Sequence, residues 1–386
     1  MKSAQRPFFI LIALIGGLAI FSSTLSKTPV LPLFALSLRA TPAEIGWIVM
    51  ASTIPGILVS YPAGALSDYL GKQRVLLASL VVFATAPFLY LVIETAWQLM
   101  AVRFYHGFAT AIFGTVASAA IAERYTADRA ARLSAYSSVT IVGRSIAPFL
   151  GGTLISLANF HAVYIACAIS GVLALAVGLL LRDGTPPQTT KLELPHFWAS
   201  LKTVLRDRGI MLVSLVEAAQ YLVFGAIEAF LALFAASIGI PAWQIGVILG
   251  VQLVSIVFAK PLMGRVSDRV GRRRVILPGL LIGAASVVLI PFAPSFIGLT
   301  VLSLVFGLGF ATVTSSTTAL VADLTRDGRY GSSMGVLRTV MDVGQSIGPV
   351  LTGFIVGVAG YGSAFTLLAA ILVLAALMLG FLFGDP

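Results

Sequence analysis

Apolar runs of about twenty residues or more, each closed by a short polar or glycine-containing break, recur along nearly the whole chain. A helix rises about 1.5 Å per residue, so about 20 apolar residues cross a hydrocarbon core of about 30 Å. Twelve such spans are predicted, at 8–36, 44–66, 75–93, 98–122, 133–158, 162–181, 210–236, 243–263, 275–293, 296–322, 332–358 and 362–384. In lipid the backbone groups must be satisfied within each segment, which makes every span a helix. Lys2 and Arg6 ahead of Phe8–Phe21 imitate a secretory leader. No small-residue cleavage site follows, and the apolar pattern continues through Val30-Leu31-Pro32-Leu33-Phe34, so the first span is read as retained. The one long polar stretch, 182–208, carries adjacent prolines at 186 and 187 and divides the spans six to six. The expected organisation is an N-terminal bundle at 1–181, a cytoplasmic connector at 182–208 and a C-terminal bundle at 209–386.

Composition agrees with lipid as the main solvent. Of 386 residues 58% are hydrophobic and 10% charged, against about 25% charged in ordinary soluble domains, and mean hydropathy is +1.01. A soluble enzyme, a disordered chain and a disulfide-stapled domain are excluded. Cys167 is the single cysteine and has no partner for a disulfide within the chain. The net charge of +10 is a topology signal rather than a nucleic-acid surface. Of the 25 Lys and Arg, 19 fall in the segments on one side of the predicted spans. Basic loops stay in the cytoplasm, so both termini are expected there, in the plasma (bacterial inner) membrane, with the lipids around the spans as partners.

A repeat runs through the chain. Gly64-Ala65-Leu66-Ser67-Asp68-Tyr69-Leu70-Gly71-Lys72-Gln73-Arg74 returns 200 positions later as Gly264-Arg265-Val266-Ser267-Asp268-Arg269-Val270-Gly271-Arg272-Arg273-Arg274. Ile45-Gly46 matches Ile245-Gly246 at the same offset, and Gly143, Pro148 and Gly152 match Gly344, Pro349 and Gly353 one residue later. Two tandem halves of six helices follow, an arrangement found in transporters with a mid-membrane site between the halves.

The doubled loop between spans two and three and between spans eight and nine resembles the signature of the major facilitator superfamily. That resemblance covers essentially the whole chain. It implies an all-α membrane protein of twelve helices in two pseudo-symmetric bundles, a monomer that moves a small-molecule substrate without a cofactor or metal. Within the loops it implies conformational-switch roles for Gly64, Asp68, Gly71, Arg74, Gly264, Asp268, Gly271 and Arg274. In span five, Gly143-Arg144-Ser145-Ile146-Ala147-Pro148-Phe149-Leu150-Gly151-Gly152 resembles the packing motif of the family's drug/proton antiporters, with Ala147 in place of its second glycine. Span eleven carries a closer match through Gly344, Gly348, Pro349 and Gly353. Arg103-Phe104-Tyr105-His106-Gly107 in span four is similar to the antiporter element Arg-x-x-Gln-Gly, with His106 at the glutamine position.

Ionisable residues at membrane depth are expensive and mark function by default. The acidic ones are Glu217 and Glu228 in span seven and Asp342 in span eleven. Eleven residues bring a helix back to within about 20° of the same face, so Glu217, Phe224 and Glu228 share one stripe. Span seven lines the central cavity in the resembled family. Glu228 ranks first for coupling, because Glu217 lies only eight residues into the span, where it can reach cytoplasmic water. Lys27 of span one is expected across the cavity from Glu228. Arg338 and Asp342 are four apart and can pair along one helix face, whereas Lys260 is expected to snorkel at the cytoplasmic end of span eight. The proton-coupling candidates are thus Glu228, Asp342, Glu217, Arg103 and Arg144. Those for the substrate cavity are Lys27, His106, Tyr221, Phe224 and Arg338. The hydroxyl run Thr312–Thr318 in span ten either lines the cavity or bonds to the backbone one turn earlier.

Neither His-Glu-x-x-His nor Gly-x-Ser-x-Gly occurs, and His106, His161 and His196 sit on different segments, which disfavours an intramembrane enzyme and a metal site. The phosphate-binding Gly-x-x-x-x-Gly-Lys-(Ser/Thr) of primary pumps is absent as well. The expected function is proton-coupled export of drug-like or amphipathic small molecules by alternating access. The alternatives within the same fold are a facilitator or symporter of a small polar metabolite and a lipid or lysolipid flippase.

Overall fold

The computed structural model describes residues 2–181, 206–325 and 330–382. Within them the side chains at 2–6, 60–65, 68, 130, 330–332 and 382 stand outside the description, as does the connector expected at 182–208 up to residue 205. The described residues form helices α1 (Lys2–Leu25), α2 (Val30–Ser37), α3 (Pro42–Ala51), α4 (Ile54–Leu70), α5 (Lys72–Leu89), α6 (Ala96–Arg124), α7 (Arg129–Leu157) and α8 (Phe160–Leu179). They continue with α9 (Arg208–Ser237), α10 (Ala242–Val270), α11 (Arg272–Leu289), α12 (Phe296–Leu324) and α13 (Tyr330–Leu382). Among these, eleven stretches are long and apolar enough to cross a membrane, and the last, Ser333–Phe381, has 49 residues. At 1.5 Å per residue that stretch is about 70 Å long, more than twice the hydrocarbon core, so it crosses twice. The reversal is at Gly360, whose φ of 78° and ψ of 175° leave the helical region. Arg273 at the start of α11 then donates from Nη2 to the carbonyl of Gly380, at the far end of the returning arm.

Two expected spans are broken rather than straight. Pro29 follows the end of α1 and Pro55 opens α4. A proline has no N–H to give to the carbonyl four residues back and clashes with it, so the helix stops and restarts. These breaks leave Lys27 between α1 and α2 and Ser52 between α3 and α4.

The 200-residue repeat extends down to single hydrogen bonds. Helices α5 and α11, the 3₁₀ turns Tyr90–Val92 and Ile290–Phe292, and helices α6 and α12 coincide at that offset. Ser37 donates to the carbonyl of Phe34, and Ser237 to that of Phe234, both at 2.7 Å. Gly71 and Gly271 hold φ of 89° and 102° between their helix pairs, the region that favours glycine. Thr95 and Ser295 cap α6 and α12, and Thr95 completes its box with the Gln98 side chain.

The chain divides into two compact units, Met1–Ala40 with Ile48–Leu192, and Thr41–Trp47 with Glu193–Pro386. The start of α3 therefore packs with the second unit. A Cβ on Gly46 would sit 2.5 Å from the carbonyl oxygen of Pro349, and one on Gly353 would strike that of Pro42. In the first unit α1 packs against α7 and α8, and α5 against α6 and α8. In the second, α9 packs chiefly against α13, and α12 against α10 and α11.

Candidate functional site

The antiporter-like glycines are contact points between helices. A Cβ on Gly143 of α7 would lie 3.0 Å from the carbonyl of Gly17 on α1, and one on Gly151 3.0 Å from Val30. On α13, Gly344 abuts the backbone of Ala218 and Gly348 that of Leu222, which seats α9 directly on the backbone of α13. Gly152, Pro148 and Pro349 are buried beside them.

In the first unit the break before Pro55 places Ser52 against α6. Gly107 has no side chain to hold α6 away, for a Cβ there would strike the carbonyl of Ser52 and touch Pro55. Arg103, one turn earlier on the same face, donates from Nη2 to Ser52 Oγ at 2.7 Å and from Nη1 to the Tyr90 hydroxyl at 3.4 Å. The Tyr90 hydroxyl also meets His106 Nδ1 at 3.3 Å, and its ring stacks on Tyr164 with centroids 4.4 Å apart. Arg103 is 4% exposed, and its hydrogen-bond partners among the described residues are neutral oxygens. Arg103 Nε, His106 Nε2 and the Tyr164 hydroxyl have no hydrogen-bond partner among the described residues. His106 is only 2% exposed and packs edge-on against Phe83, so it lies inside the first bundle rather than on an open face.

In the second unit Glu217 corrects the sequence reading, because it is 3% exposed and does not reach water. Thr317 Oγ1 of α12 lies 2.6 Å from its Oε2 and 2.9 Å from the carbonyl of Val313. One hydroxyl hydrogen cannot serve two acceptors at once. When Glu217 is ionised the hydroxyl donates to it. When Glu217 is protonated the carboxyl donates to Oγ1, which frees the hydroxyl for Val313. Both protonation states are accommodated without moving a helix.

The stripe of α9 continues through Gln220, Tyr221 and Phe224 to Glu228, which is half-buried. Phe310 of α12 packs on Tyr221 at 5.0 Å and on Phe224 at 4.4 Å between ring centroids. Lys260 of α10 is half-buried. Its Nζ lies 5.8 Å from the Phe310 centroid, and its charge acts on Glu217. The hydroxyls of span ten mostly bond to the preceding turn: Thr312 to Leu308, Thr314 to Phe310, Ser316 to Thr312 and Thr318 to Thr314. Thr317 adds the one carboxylate contact of that run among the described residues.

Asp342 is half-buried on α13 and feels the charge of exposed Arg338 one turn earlier, without an ion pair within 4 Å among the described residues. Arg144 is exposed on α7. Lys27 and Glu228 belong to different units. No group of three or more His, Cys, Asp or Glu that could hold a metal ion occurs among the described residues.

In the doubled loops the side chain of Asp68 and position 64 lie outside the described residues, and a Cβ on Gly264 meets nothing within 4 Å. Among the described residues the residue after the second glycine forms an ion pair in both loops, and Arg74 and Arg274 are exposed. Lys72 pairs with Glu123 at the end of α6 at 2.7 Å, and Arg272 with Asp323 at the end of α12 at 2.9 Å. Arg272 also pairs with Asp268. Sequence reasoning missed Ser52, Tyr90, Glu123 and Asp323, and it named Thr317 only as one hydroxyl of the Thr312–Thr318 run. The repeat held a signal for two of them, since Glu123 and Asp323 are 200 apart like their partners.

The family model of the Major Facilitator Superfamily matches residues 12–251 and 213–386. The chain is similar to an uncharacterized MFS-type transporter of Methanocaldococcus jannaschii, at 22% identity over 87% of this chain and 88% of the relative. It is similar to the quinolone resistance protein NorA of Staphylococcus aureus, at 23% identity over 84% of each chain. The crystal structure of the nucleoside transporter NupG superposes with a TM-score of 0.79 at 16% identity, covering 98% of this chain and 100% of that one, a likeness of fold. With the family matched across both bundles and apolar helices throughout, the chain belongs to the Major Facilitator Superfamily and is an integral membrane transporter.

Proposed function

We propose that this transporter exports drug-like or amphipathic small molecules in exchange for protons, by alternating access of its two bundles. It works as a monomer in the plasma membrane with both termini in the cytoplasm. The observation that carries the reading is Glu217, a carboxyl group 3% exposed among apolar helices with a hydroxyl relay serving either protonation state. A group of that kind binds and releases a proton without repacking its helix, and aromatic side chains of the same α9 stripe offer an apolar surface to a substrate. Proton binding drives the cycle only through its different affinity for the two states. The similarity to NorA supports a drug-like cargo. Glu217 takes the first coupling rank, ahead of half-buried Glu228 and Asp342.

The alternative of a symporter for a small polar metabolite draws on Gln220 and Gln252, which are wholly buried with amide atoms that have no hydrogen-bond partner among the described residues. Energised everted vesicles test both. A panel of amphipathic compounds should partly collapse the pH gradient in wild type and fail to do so in Glu217→Gln. Gradient collapse by polar metabolites alone would favour the symporter.

A further inference from the structure

Three rings from two helices, Tyr221, Phe224 and Phe310, form one aromatic cluster with centroid separations of 4.4–6.2 Å. Glu217 stands one turn before Tyr221 on α9. A carboxylate beside aromatic faces is the chemistry that binds an organic cation. Here a cation is already in place, for Lys260 puts its ammonium 5.8 Å from the Phe310 centroid and its charge acts on Glu217. The fold does not demand a lysine there. At the repeat offset of 200 the first bundle has Ser60 in place of Lys260, Gly17 in place of Glu217 and Thr110 in place of Phe310.

We propose that Lys260 is a tethered cation that fills the cation position of this aromatic and carboxylate cluster, and so sets specificity for aromatic solutes that are neutral or carry a carboxylate over free organic cations. The inference rests on the transporter reading and deepens it by naming what the cluster admits. With Glu217 ionised its charge and that of Lys260 cancel, and with Glu217 protonated the ammonium remains, so in either state this pair leaves an added cation uncompensated in a low-dielectric setting unless it displaces the ammonium. A solute with a ring and a carboxylate does the opposite: its ring packs on Tyr221 and Phe310, and its carboxylate meets Lys260. The four-carbon stem lets the ammonium follow that group.

Binding alone tests this, so that its failure stays separate from a failure of proton-coupled export. The protein in lipid nanodiscs is titrated with tetraphenylphosphonium and with 2-naphthoate, as wild type, Lys260→Gln and Lys260→Arg. Wild type should prefer naphthoate. Lys260→Gln should gain about tenfold in tetraphenylphosphonium affinity and lose about tenfold for naphthoate, while Lys260→Arg keeps the wild-type order. On wild type alone, a tenfold excess of tetraphenylphosphonium should leave most naphthoate bound, a readout that needs no variant to fold. Equal preference in wild type and Lys260→Gln, ready displacement in that competition, or no binding of either probe to wild type overturns the proposal.

Discussion

Thr317 on α12 and Glu217 on α9 meet at 2.6 Å, the one contact in which the hydroxyl run of α12 reaches a carboxylate among the described residues. Removing the hydroxyl while keeping the shape strands a buried oxygen, which costs about 1–3 kcal/mol. Thr317→Val should therefore lower the melting temperature of the purified protein, and Thr317→Ser should hold it near wild type. Equal melting of Val and wild type contradicts the contact.

The Tyr90 hydroxyl bridges Arg103 and His106 inside the first unit. Tyr90→Phe keeps the ring stacked on Tyr164 but leaves Arg103 Nη1 and His106 Nδ1 without that partner. A loss of about 1–3 kcal/mol is expected in denaturant unfolding in detergent. His106→Gln, which places the amide of the resembled element there, should lose less than His106→Ala.

Gly348 and Gly357 lie on the same helix and make opposite predictions. A Cβ on Gly348 strikes the backbone of Leu222, whereas one on Gly357 meets nothing within 4 Å. Gly348→Ala should destabilise by about 1–3 kcal/mol or more, because the backbone of α9 must move. Gly357→Ala should be near neutral. Thermal unfolding of the two variants side by side decides.

Lys72 is 6% exposed and tied to Glu123, while Arg272 shares its charge between Asp268 and Asp323. Glu123→Gln and Asp323→Asn should each slow transport severalfold, since each removes a carboxylate from the cation that follows the loop's second glycine. The exchange Lys72→Glu with Glu123→Lys should recover part of the rate in the same flux assay.

Much of this molecule is legible in its sequence because lipid leaves the backbone few choices. Span positions, the six-and-six repeat and the loop glycines follow from apolar run length and a 200-residue offset. The breaks beside Lys27 and Ser52 were signalled by Pro29 and Pro55 but submerged in continuous apolar runs. Side-chain direction was the harder matter. Glu217 sits near a span end by counting, yet α12 covers it, and Lys260 holds its ammonium 5.8 Å from the Phe310 ring. Such contacts join residues 50 to 100 positions apart, which no periodicity within one helix encodes.

Counterflow in proteoliposomes tests the central claim most directly, because exchange of substrate for substrate needs the site and the rocking cycle but no proton. Glu217→Gln, a permanent mimic of the protonated state, should retain labelled-substrate exchange while losing accumulation driven by an imposed pH gradient. Accumulation by Glu217→Gln at the wild-type level would contradict the assignment of proton coupling to Glu217.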